Sequence, residues 1–587
     1  MHVVATAGHV DHGKSTLVRA LTGMEPDRLA EERRRGLTID LGFAWTEIDG
    51  TTLAFVDLPG HERFVPNMLA GAGPVPAAMF VVAADEGWQA QSVEHLAALD
   101  AFGVRHGLLV VTKADRADPA KATGEALARL RTTSLGEVRA VAVSGRTGAG
   151  LAGLRRELLA MTGRLPAPDD DADVRLWVDR VFTIRGAGTV VTGTLGAGTV
   201  RGGDVLVLGG RRVVVRGLQA LGRPVDVVRG VARVAVNLRG VEREDVHRGD
   251  ALLTPDAWRT TDEVDVLVRG GDRLHRELVL HLGAAAVPCH VRPLGTRTAR
   301  LALRTALPLR AGDIGLLRDP GGHRIACGVE VLDPAPPALR RRGAARARDH
   351  ELTSGGAASA HLRRHGAVPV ADLRALGWPA QGVRVHHWVV DPELHRRLPD
   401  RVGELFAEWS AGHPVTAGMP VATLRQSLSV PDEVLHDALA RTTLTVHNGL
   451  VRREGTAALP AGVDRAVTAL EHRLAAEPFA APEAADLAAL GLGPSELAAA
   501  ERAGRLVRLT GSVVLAADAL VRAADILATL PPPFTVSEAR RVLHTTRRVA
   551  VPLLERLDAD GVTRRAADGT RHVRPRHPPT PPPSGPQ

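Results

Sequence analysis

The nine residues from Gly8 to Thr16, GHVDHGKST, constrain the fold of this chain more than any other stretch. They match G-x-x-x-x-G-K-[ST]. The preceding MHVVATA predicts a short strand, and the following STLVRALTG predicts a helix. Glycines in such a loop let backbone N–H groups turn towards phosphate oxygens beside the positive end of a helix. The predicted phosphate-binding loop consists of Gly8, His9, Val10, Asp11, His12, Gly13, Lys14, Ser15 and Thr16.

The lysine in this loop is informative because lysine is rare in the chain. Lys14, Lys113 and Lys121 are the only lysines among 587 residues, and arginine takes every other position of that type. At Lys14 a compact point charge can reach the β and γ phosphates, where the wide planar fork of arginine fits badly. Ser15 adds a hydroxyl that can bind magnesium beside the same phosphates. Both residues support a nucleotide site.

Two further segments extend this site towards magnesium and the last phosphate. FVDLPGHERF follows a predicted strand, so Asp57 stands where a P-loop enzyme holds the magnesium shell, and the Gly60 amide can bond the γ phosphate. RGLTIDLG places Thr38 on a loop. The hydroxyl and carbonyl of Thr38 can close over magnesium when the γ phosphate is bound. The predicted magnesium ligands are Ser15, Thr38 and Asp57.

The end of a later strand predicts which base is bound. In LLVVTKAD, the Asp115 carboxylate can accept two hydrogen bonds from the N1–H and exocyclic amine of guanine, a donor pair that adenine does not present. Lys113 can pack along the base, which accounts for a second retained lysine. VAVSGRTG places Ser144 and Gly145 after the next strand, where backbone amides can meet the guanine O6. These pieces, in this order, predict a GTPase.

Length and composition limit the classes of protein to which the chain can belong. At 587 residues it is too long for one ordinary core, and its apolar (44%) and charged (24%) fractions are those of globular proteins. No apolar run approaches the roughly 18 residues of a membrane helix, and we expect no signal peptide before the first strand. Cys289 and Cys327 are too few for a disulfide framework or a structural zinc site. We therefore expect a cytoplasmic protein without a membrane segment.

The middle of the chain predicts two small barrels. The α/β pattern covers residues 1–168 and ends at RLPAPDDDADV, a linker rich in proline and aspartate. Short valine-rich runs broken by glycine then follow, a pattern typical of closed β-barrels. We place one barrel at 172–258 and a second at 259–334. A barrel with some other ligand remains an alternative at this point.

The last third predicts repeated small helical units. Residues 331–350, VLDPAPPALRRRGAARARDH, read as a basic linker. Beyond them a proline or turn followed by a short amphipathic helix recurs four times, and GLVRR, GRLVRL and GVTRR trail the later three. Helix, turn, helix and a short β segment describe a winged helix. We place linker and first unit at 335–400, the others at 401–458, 459–525 and 526–576, and a disordered proline-rich tail at 577–587.

The last winged helix concentrates positive charge. Residues 531–587 hold ten arginines against five acidic residues, a net of +5 within a chain whose whole net charge is +8. Arg547 and Arg548 begin the predicted second helix, and Arg564 and Arg565 lie on the wing. Arginines in these positions can contact RNA phosphates. Winged helices that bind DNA, or only proteins, remain alternatives.

The motifs together resemble a known family. GHVDHGKST, TIDLG, DLPGH and TKAD resemble the translational GTPases, as in elongation factor Tu. RGLTIDLGFAW, DLPGHERFVPNMLAGAG, DEGWQAQSVEHL and TTRRVAVPLLERLD are similar to the bacterial selenocysteine-specific elongation factors. The resemblance implies that His61 orients the attacking water. It also implies a selenocysteine pocket at Asp179, Arg180 and Arg233, while Thr112 departs from the common N-K-x-D by replacing asparagine.

The resemblance implies a GTP-dependent carrier of selenocysteinyl-tRNA. Its expected cofactors are GTP and Mg²⁺, and its expected partners are the ribosome, which stimulates hydrolysis, and an mRNA hairpin beside a recoded UGA. We expect a monomer. Two alternatives are a general elongation or initiation factor carrying ordinary aminoacyl-tRNA, and a GTP-regulated nucleic-acid-binding regulator without tRNA cargo.

Overall fold

A computed structural model describes most of the chain, in two units. The described residues are 1–26, 38, 40–59, 61, 64–73, 75–184, 188–271, 274–413, 416, 418–453, 459–510 and 513–573. The predicted site residue Gly60 and the tail 577–587 lie outside them. The first unit is Met1–Gly382 and the second is Val383–Gln587.

The first unit begins with a six-stranded α/β domain. Its strands are β1 His2–Ala7, β2 Gly42–Ile48, β3 Thr51–Asp57, β4 Ala77–Ala83, β5 His106–Thr112 and β6 Arg139–Ala142. Their order is β2-β3-β1-β4-β5-β6, and only the edge strand β2 runs antiparallel to its neighbour. The helices around the sheet are Lys14–Thr22, Val65–Ala72, Ala90–Ala101, Ala120–Leu130 and Leu151–Thr162.

Burial on both faces explains the apolar strands of this sheet. All seven residues of β4, AAMFVVA, are buried, because helices cover both sides of a parallel sheet. The carboxyl ends of β1, β3, β4 and β5 meet at one edge, which is where ligands bind in open α/β sheets. The predicted α/β GTPase domain is confirmed.

A first barrel follows the α/β domain. Its strands are β7 Arg175–Trp177, β8 Arg180–Ile184, β9 Gly188–Leu195, β10 Thr199–Arg201, β11 Val205–Leu208, β12 Arg211–Ala220, β13 Arg223–Val225, β14 Val227–Arg229, β15 Ala232–Arg239 and β16 Ala251–Leu253. Pairing runs β11-β16-β7-β9-β15-β12 and returns from β12 to β11, which closes a six-stranded ring. A 3-10 turn covers Arg243–Asp245.

A second closed barrel comes next. Its strands are β17 Thr260–Arg269, β18 Glu277–Leu282, β19 Ala285–Pro293, β20 Thr298–Pro308, β21 Ile314–Asp319 and β22 Arg324–Asp333. Their order is β17-β20-β19-β18-β21-β22. Along β19 buried and exposed residues alternate, as the two faces of a barrel wall require. The two predicted barrels are confirmed.

The segment predicted as a basic linker is structured over much of its length. β22 extends to Asp333, and a helix runs from Ala344 to Ser354. Arg348 on this helix is only 2% exposed, because it donates to the buried carboxylates of Asp265, at 2.7 Å, and Asp333. The prediction was wrong here, since a run of arginines does not reveal which of them find buried partners. Helices Ala357–His365 and Val370–Ala375 and strand β23 Ala367–Pro369 complete the first unit.

The second unit repeats short helices followed by β hairpins. Its helices are Pro392–Gly412, Val421–Leu428, Asp432–Ala440, Ala461–Ala476, Ala484–Ala489, Pro494–Arg502, Ala519–Leu527, Val536–Val542 and Arg547–Ala559. Its strands are β24 Val383–Val385, β25 Trp388–Val390, β26 Met419–Pro420, β27 Leu444–His447, β28 Leu450–Arg453, β29 Leu506–Arg508, β30 Val514–Ala516, β31 Thr563–Arg565 and β32 Arg571–Val573. The predicted winged-helix fold is confirmed. The division after Gly382 falls within 335–400, so a single winged helix over that range stays a prediction.

The last two winged helices share one hydrophobic core. Phe479 and Leu487 from the earlier unit lie in the same cluster as Phe534 and Leu554 from the later one. The Thr545 hydroxyl also donates to the Phe479 carbonyl at 2.5 Å. The two predicted repeats therefore pack as one body. Over the described residues, no helix has the length and apolar character needed to cross a membrane.

Candidate functional site

The loop after β1 has the shape that its glycines predict. Gly8 has φ +133°, and a Cβ atom there would lie 2.2 Å from the carbonyl oxygen of Val81 on β4. Gly13 has φ +75° and ends the loop at the start of helix Lys14–Thr22. The Lys14 ammonium donates to the carbonyls of Gly8 at 3.0 Å and His9 at 2.8 Å. The side chain therefore lies over the loop, with its charge where phosphates would bind.

Helix Ala90–Ala101 braces this loop from outside the motif. The Gly8 amide donates to His95 Nδ1 at 3.1 Å, and the Val10 amide donates to Gln91 Oε1 at 2.9 Å. Because His95 Nδ1 accepts, the ring proton sits on Nε2. Burial is the main reason that the pKa of His95 falls to about 3, and the positive charge of Lys14 contributes to the same shift. A neutral imidazole thus holds the loop at neutral pH.

The two histidines within the loop, His9 and His12, are neutral as well. His12 is fully buried, and its Nδ1 lies 3.2 Å from the Val81 carbonyl oxygen. Desolvation is the main reason that the pKa of His12 falls to about 4. Desolvation and the nearby Lys14 charge lower the pKa of His9, whose ring centroid lies 5.1 Å from that of His12. These rings add no competing positive charge near Lys14.

The three predicted magnesium ligands come together at the end of the loop. Ser15 Oγ donates to Asp57 Oδ2 at 2.6 Å and lies 3.0 Å from Thr38 Oγ1. Thr6 Oγ1 donates to the other Asp57 oxygen at 2.5 Å, and Asp57 is fully buried. Hard oxygen donors of this kind fit Mg²⁺, which takes one or two carboxylates and completes its shell with phosphate and water.

The Ser15, Thr38 and Asp57 side chains alone are too few to complete the coordination of a metal ion. Across the described residues there is no group of three or more His, Cys, Asp or Glu side chains that could hold a metal ion. One carboxylate and two hydroxyls suffice only when phosphate oxygens supply further ligands. The arrangement therefore suits a metal that arrives with a nucleotide.

At the predicted guanine end of the site, Thr112 and Lys113 are each held in place by a partner. Thr112, at the end of β5, donates from its hydroxyl to the His12 carbonyl at 2.7 Å, so it fastens β5 to the phosphate loop. Lys113 Nζ lies 2.5 Å from Glu86 Oε1 and 3.3 Å from Asp85 Oδ1. Desolvation opposes the charge of Lys113, but the hydrogen bonds to these two carboxylates outweigh it and raise the pKa.

Asp115 and Ser144, predicted to meet the base, lie side by side. A hydrogen bond from the Ser144 side chain is the largest cause of the lowered pKa of Asp115. The Ser144 amide donates to the Ala149 carbonyl at 2.9 Å, and Gly148 donates back to the Ser144 carbonyl at 2.9 Å, which makes a compact loop around Gly145. Asp115 is thus kept ionised as an acceptor, while the Ser144 amide is engaged within its own loop.

His61 stands at the entry to a helix. Its carbonyl accepts a hydrogen bond from the Phe64 amide at 2.9 Å, just before helix Val65–Ala72, and the two rings lie 5.9 Å apart. The side chain is half-buried. This fixes the backbone of the predicted water-orienting residue relative to the sheet edge.

A second cluster joins the first barrel to the α/β domain. Asp179 accepts from both terminal nitrogens of Arg233, at 2.6 Å for Nη2, and from the Thr192 hydroxyl at 2.8 Å. Arg180 turns away and donates from Nε to Asp40 at 2.9 Å. Of the three predicted pocket residues, Asp179 and Arg233 therefore pair directly, and Arg180 pairs across the domain boundary.

These arginines line a cavity of about 210 Å³ between β2 and the first barrel. Its aromatic wall comes from Phe43, Trp45 and Phe182. The guanidinium carbon of Arg233 lies 3.9 Å from the Phe43 ring centroid, a cation–π contact. The cavity therefore combines positive charge with partly apolar walls.

All four arginines of the predicted RNA contacts are exposed, but one of them also binds neighbouring carbonyls. They are Arg547, Arg548, Arg564 and Arg565. Arg548 donates to the carbonyls of Ala481 at 2.8 Å and Pro482 at 3.3 Å. Its position in sequence is as favourable as that of Arg547, but its side chain fastens the two last winged helices together.

Family models match both ends of the chain. The model of the elongation factor Tu GTP-binding domain matches residues 1–164, and the winged-helix model of elongation factor SelB matches residues 525–572. Elongation factor Tu 2 of Streptomyces avermitilis is 34% identical over 56% of this chain and 95% of its own length. The chain belongs to the translational GTPases related to elongation factor Tu.

Within the translational GTPases, the predicted resemblance to the selenocysteine-specific factors is confirmed. The selenocysteine-specific elongation factor of Escherichia coli K12 is 38% identical over 63% of this chain, and the match spans 62% of the relative's length. A crystal structure of a bacterial selenocysteine-specific elongation factor superposes with a TM-score of 0.73 at 25% identity, covering 98% of this chain and 100% of that one.

Several site residues of this translational GTPase escaped prediction from the sequence. Gln91 and His95 brace the phosphate loop, and Asp40 and Phe43 contact the arginines of the cavity. The spacing of Gln91 and His95 places them on one helix face, but it does not say what that face meets. Asp40 lies two residues after Thr38 in the same loop, and nothing in the sequence of that loop indicates that it contacts Arg180.

Proposed function

We propose that this chain is a GTP-dependent elongation factor that carries selenocysteinyl-tRNA to the ribosome at recoded UGA codons. The observation that carries the proposal is the cavity lined by Arg180 and Arg233, in which the buried Asp179 orients Arg233. A selenol is a stronger acid than a thiol, so selenocysteine is largely an anion at neutral pH, whereas serine is neutral. Positive charge in a partly dry site favours the anion, because the attraction is less screened than in water.

GTP would be bound and hydrolysed at the edge of the α/β sheet. Lys14 and the loop amides hold the phosphates, and Ser15, Thr38 and Asp57 would hold Mg²⁺. When bound, the metal neutralises charge on the phosphates. His61 orients a water molecule towards the γ phosphorus. The water oxygen forms a bond to that phosphorus while the bond from the phosphorus to the β–γ bridging oxygen breaks. The bridging oxygen keeps the electron pair and stays on GDP, and the protons of the water go to the released phosphate and to solvent. We expect the ribosome to stimulate this step.

Guanine selection would come from Asp115. Its hydrogen bond with Ser144 keeps the carboxylate ionised, and an ionised carboxylate only accepts. Guanine offers two donors to such a group, whereas adenine offers an acceptor at N1. An excess of ATP should therefore fail to displace GTP, and Asp115→Asn should relax this preference in a competition assay.

The last winged helix would bind an mRNA hairpin. Arg547 at the start of its second helix and Arg564 and Arg565 on its wing are exposed cations that can contact RNA phosphates. Binding the hairpin would raise the effective concentration of the cargo near its codon. Arg548 would support this surface indirectly through its bonds to Ala481 and Pro482.

Filter binding with matched tRNAs tests the cargo. The chain should bind selenocysteinyl-tRNA far more tightly than seryl-tRNA made on the same tRNA, in the presence of a non-hydrolysable GTP analogue. Arg180→Gln should reduce this discrimination. Arg223→Gln is the matched control, because Arg223 is exposed on β13 of the same barrel. Equal binding of both tRNAs would favour a general aminoacyl-tRNA factor, and binding of neither would favour a regulator without tRNA cargo.

A further inference from the structure

The residues around the start of β2 form one wall of the arginine cavity. Asp40 Oδ2 accepts from Arg180 Nε at 2.9 Å, and the Leu41 carbonyl accepts from Arg180 Nη2 at 2.6 Å. The ring centroid of Phe43 lies 5.3 Å from the guanidinium carbon of Arg180 and 3.9 Å from that of Arg233. A short stretch of the nucleotide-binding domain therefore orients both arginines of the barrel.

That stretch is tied to the magnesium ligands. Thr38 precedes Asp40 by two residues, and its hydroxyl lies 3.0 Å from that of Ser15, which donates to Asp57. Two residues of extended chain reach only about 7 Å. The Cα atoms of Thr38 and Asp40 therefore stay within this distance of each other, which ties the position of Asp40 to that of Thr38.

A third arginine connects the same region to the segment after His61. Arg248 Nη1 donates to Asn67 Oδ1 at 2.7 Å and lies 4.0 Å from Asp40 Oδ1. Asn67 belongs to helix Val65–Ala72, which His61 precedes. Both segments that flank the predicted γ-phosphate position thus contact arginines of the first barrel, and Asp40 contacts two of them.

We propose that Asp40 is the positioning residue through which the nucleotide site prepares the cavity for an anionic amino acid, an inference that rests on the proposed function. With Thr38 beside the metal ligands, Asp40 holds Arg180 in one orientation, and Phe43 supports two guanidinium groups. When Thr38 leaves, Asp40 leaves with it and Arg180 loses the carboxylate that orients it, whereas Phe43 stays in β2, where it pairs with Val56 of β3.

The charges around Arg180 allow an experiment to distinguish positioning by Asp40 from simple electrostatic attraction of the anion. Arg180, Arg233 and Arg248 carry three positive charges. Asp40 and Asp179 carry two negative charges, so these five described side chains have a net charge of +1. Removing the charge of Asp40 would leave a net charge of +2, and attraction alone would then tighten the binding of a selenolate. Positioning by Asp40 predicts the opposite, because a free Arg180 samples many orientations.

The test compares two nucleotide states of the full-length protein. Binding of selenocysteinyl-tRNA is measured with a non-hydrolysable GTP analogue and with GDP, and the ratio of the two affinities is the quantity of interest. Asp40→Asn should lower this ratio on the order of tenfold, entirely through weaker binding with the GTP analogue. Asp40→Glu, which keeps the charge, should restore part of the ratio.

Two controls separate positioning from damage to the fold. Asp256→Asn removes the charge of an exposed partner of Arg212 at 3.4 Å in the same barrel and should leave the ratio unchanged. Phe43→Leu changes a residue that β2 holds in place, so it should weaken cargo binding equally in both states and leave the ratio unchanged. The reciprocal effect must match: cargo should raise the affinity for the GTP analogue less in Asp40→Asn than in the wild type, by the same factor.

The outcomes bear separately on the two proposals. Tighter cargo binding by Asp40→Asn in both states, an unchanged ratio, or equal loss in both states would overturn the role of Asp40 and leave the carrier function standing. A wild-type protein that binds this cargo equally well with GDP and with the GTP analogue would refute the carrier function itself.

Discussion

Replacing His95 by leucine should weaken nucleotide binding by releasing the phosphate loop. His95 is 2% exposed and accepts the Gly8 amide at 3.1 Å, in a place where Gly8 is pressed against Val81. Leucine fills much of the same space and leaves that amide without a partner. A buried unpaired amide costs about 1–3 kcal/mol. If the binding-competent loop bears this cost, affinity should fall roughly 5- to 150-fold, since 1.4 kcal/mol is tenfold.

The assay is titration of fluorescent GDP and of a GTP analogue against the full-length protein, with thermal unfolding to confirm that the variant folds. His95→Gln keeps an acceptor and should lose much less affinity. Because the pKa of His95 lies at about 3, the imidazole is neutral across pH 6.5–8, and the loss should not change over that range. Wild-type affinity in a folded leucine variant, or equal losses in both variants, would refute the bracing role.

Other predictions concern the metal site, the buried ion cluster and the last winged helix. Asp57→Asn should raise the magnesium concentration needed for binding of a GTP analogue by more than about tenfold, because Asp57 is the one carboxylate among the three predicted ligands; a magnesium titration showing no change contradicts this. Arg348→Met should lower the free energy of unfolding by about 3–5 kcal/mol near pH 7, because it strips Asp333 of its main partner. Desolvation raises the pKa of Asp333, so the folded state takes up its proton more readily than the unfolded chain, and the loss should shrink as pH falls towards about 5; denaturant unfolding with equal losses at both pH values would argue against it. Arg548→Ala should lower the unfolding temperature of the second unit, while Arg547→Ala should leave it unchanged and weaken hairpin RNA binding; the reverse pattern would exclude the assignment of the two arginines.

The amino-acid sequence by itself determined the parts of the protein that depend on neighbouring residues. The loop from Gly8 to Thr16 shows its backbone shape in its own glycines, because only glycine accepts the φ of +133° at Gly8 and the contact with Val81. Alternating and apolar runs likewise predicted the sheet and both barrels, since side-chain periodicity follows from strand geometry alone. The prediction that Asp115 selects guanine likewise came from one carboxylate in a local sequence motif.

Only the tertiary structure decided which partners the distant charged groups find. Arg547 and Arg548 are adjacent, look equivalent in sequence and are both exposed, yet Arg548 binds carbonyls 66 and 67 positions away. Arg348 lies in an arginine-rich run, and its buried carboxylates come from two strands of a barrel. Sequence reports local conformational preference, whereas pairing depends on which remote segments the fold brings within a few ångströms. The contact between Arg180 and Asp40, which lies two residues after Thr38, is one such pairing of remote segments.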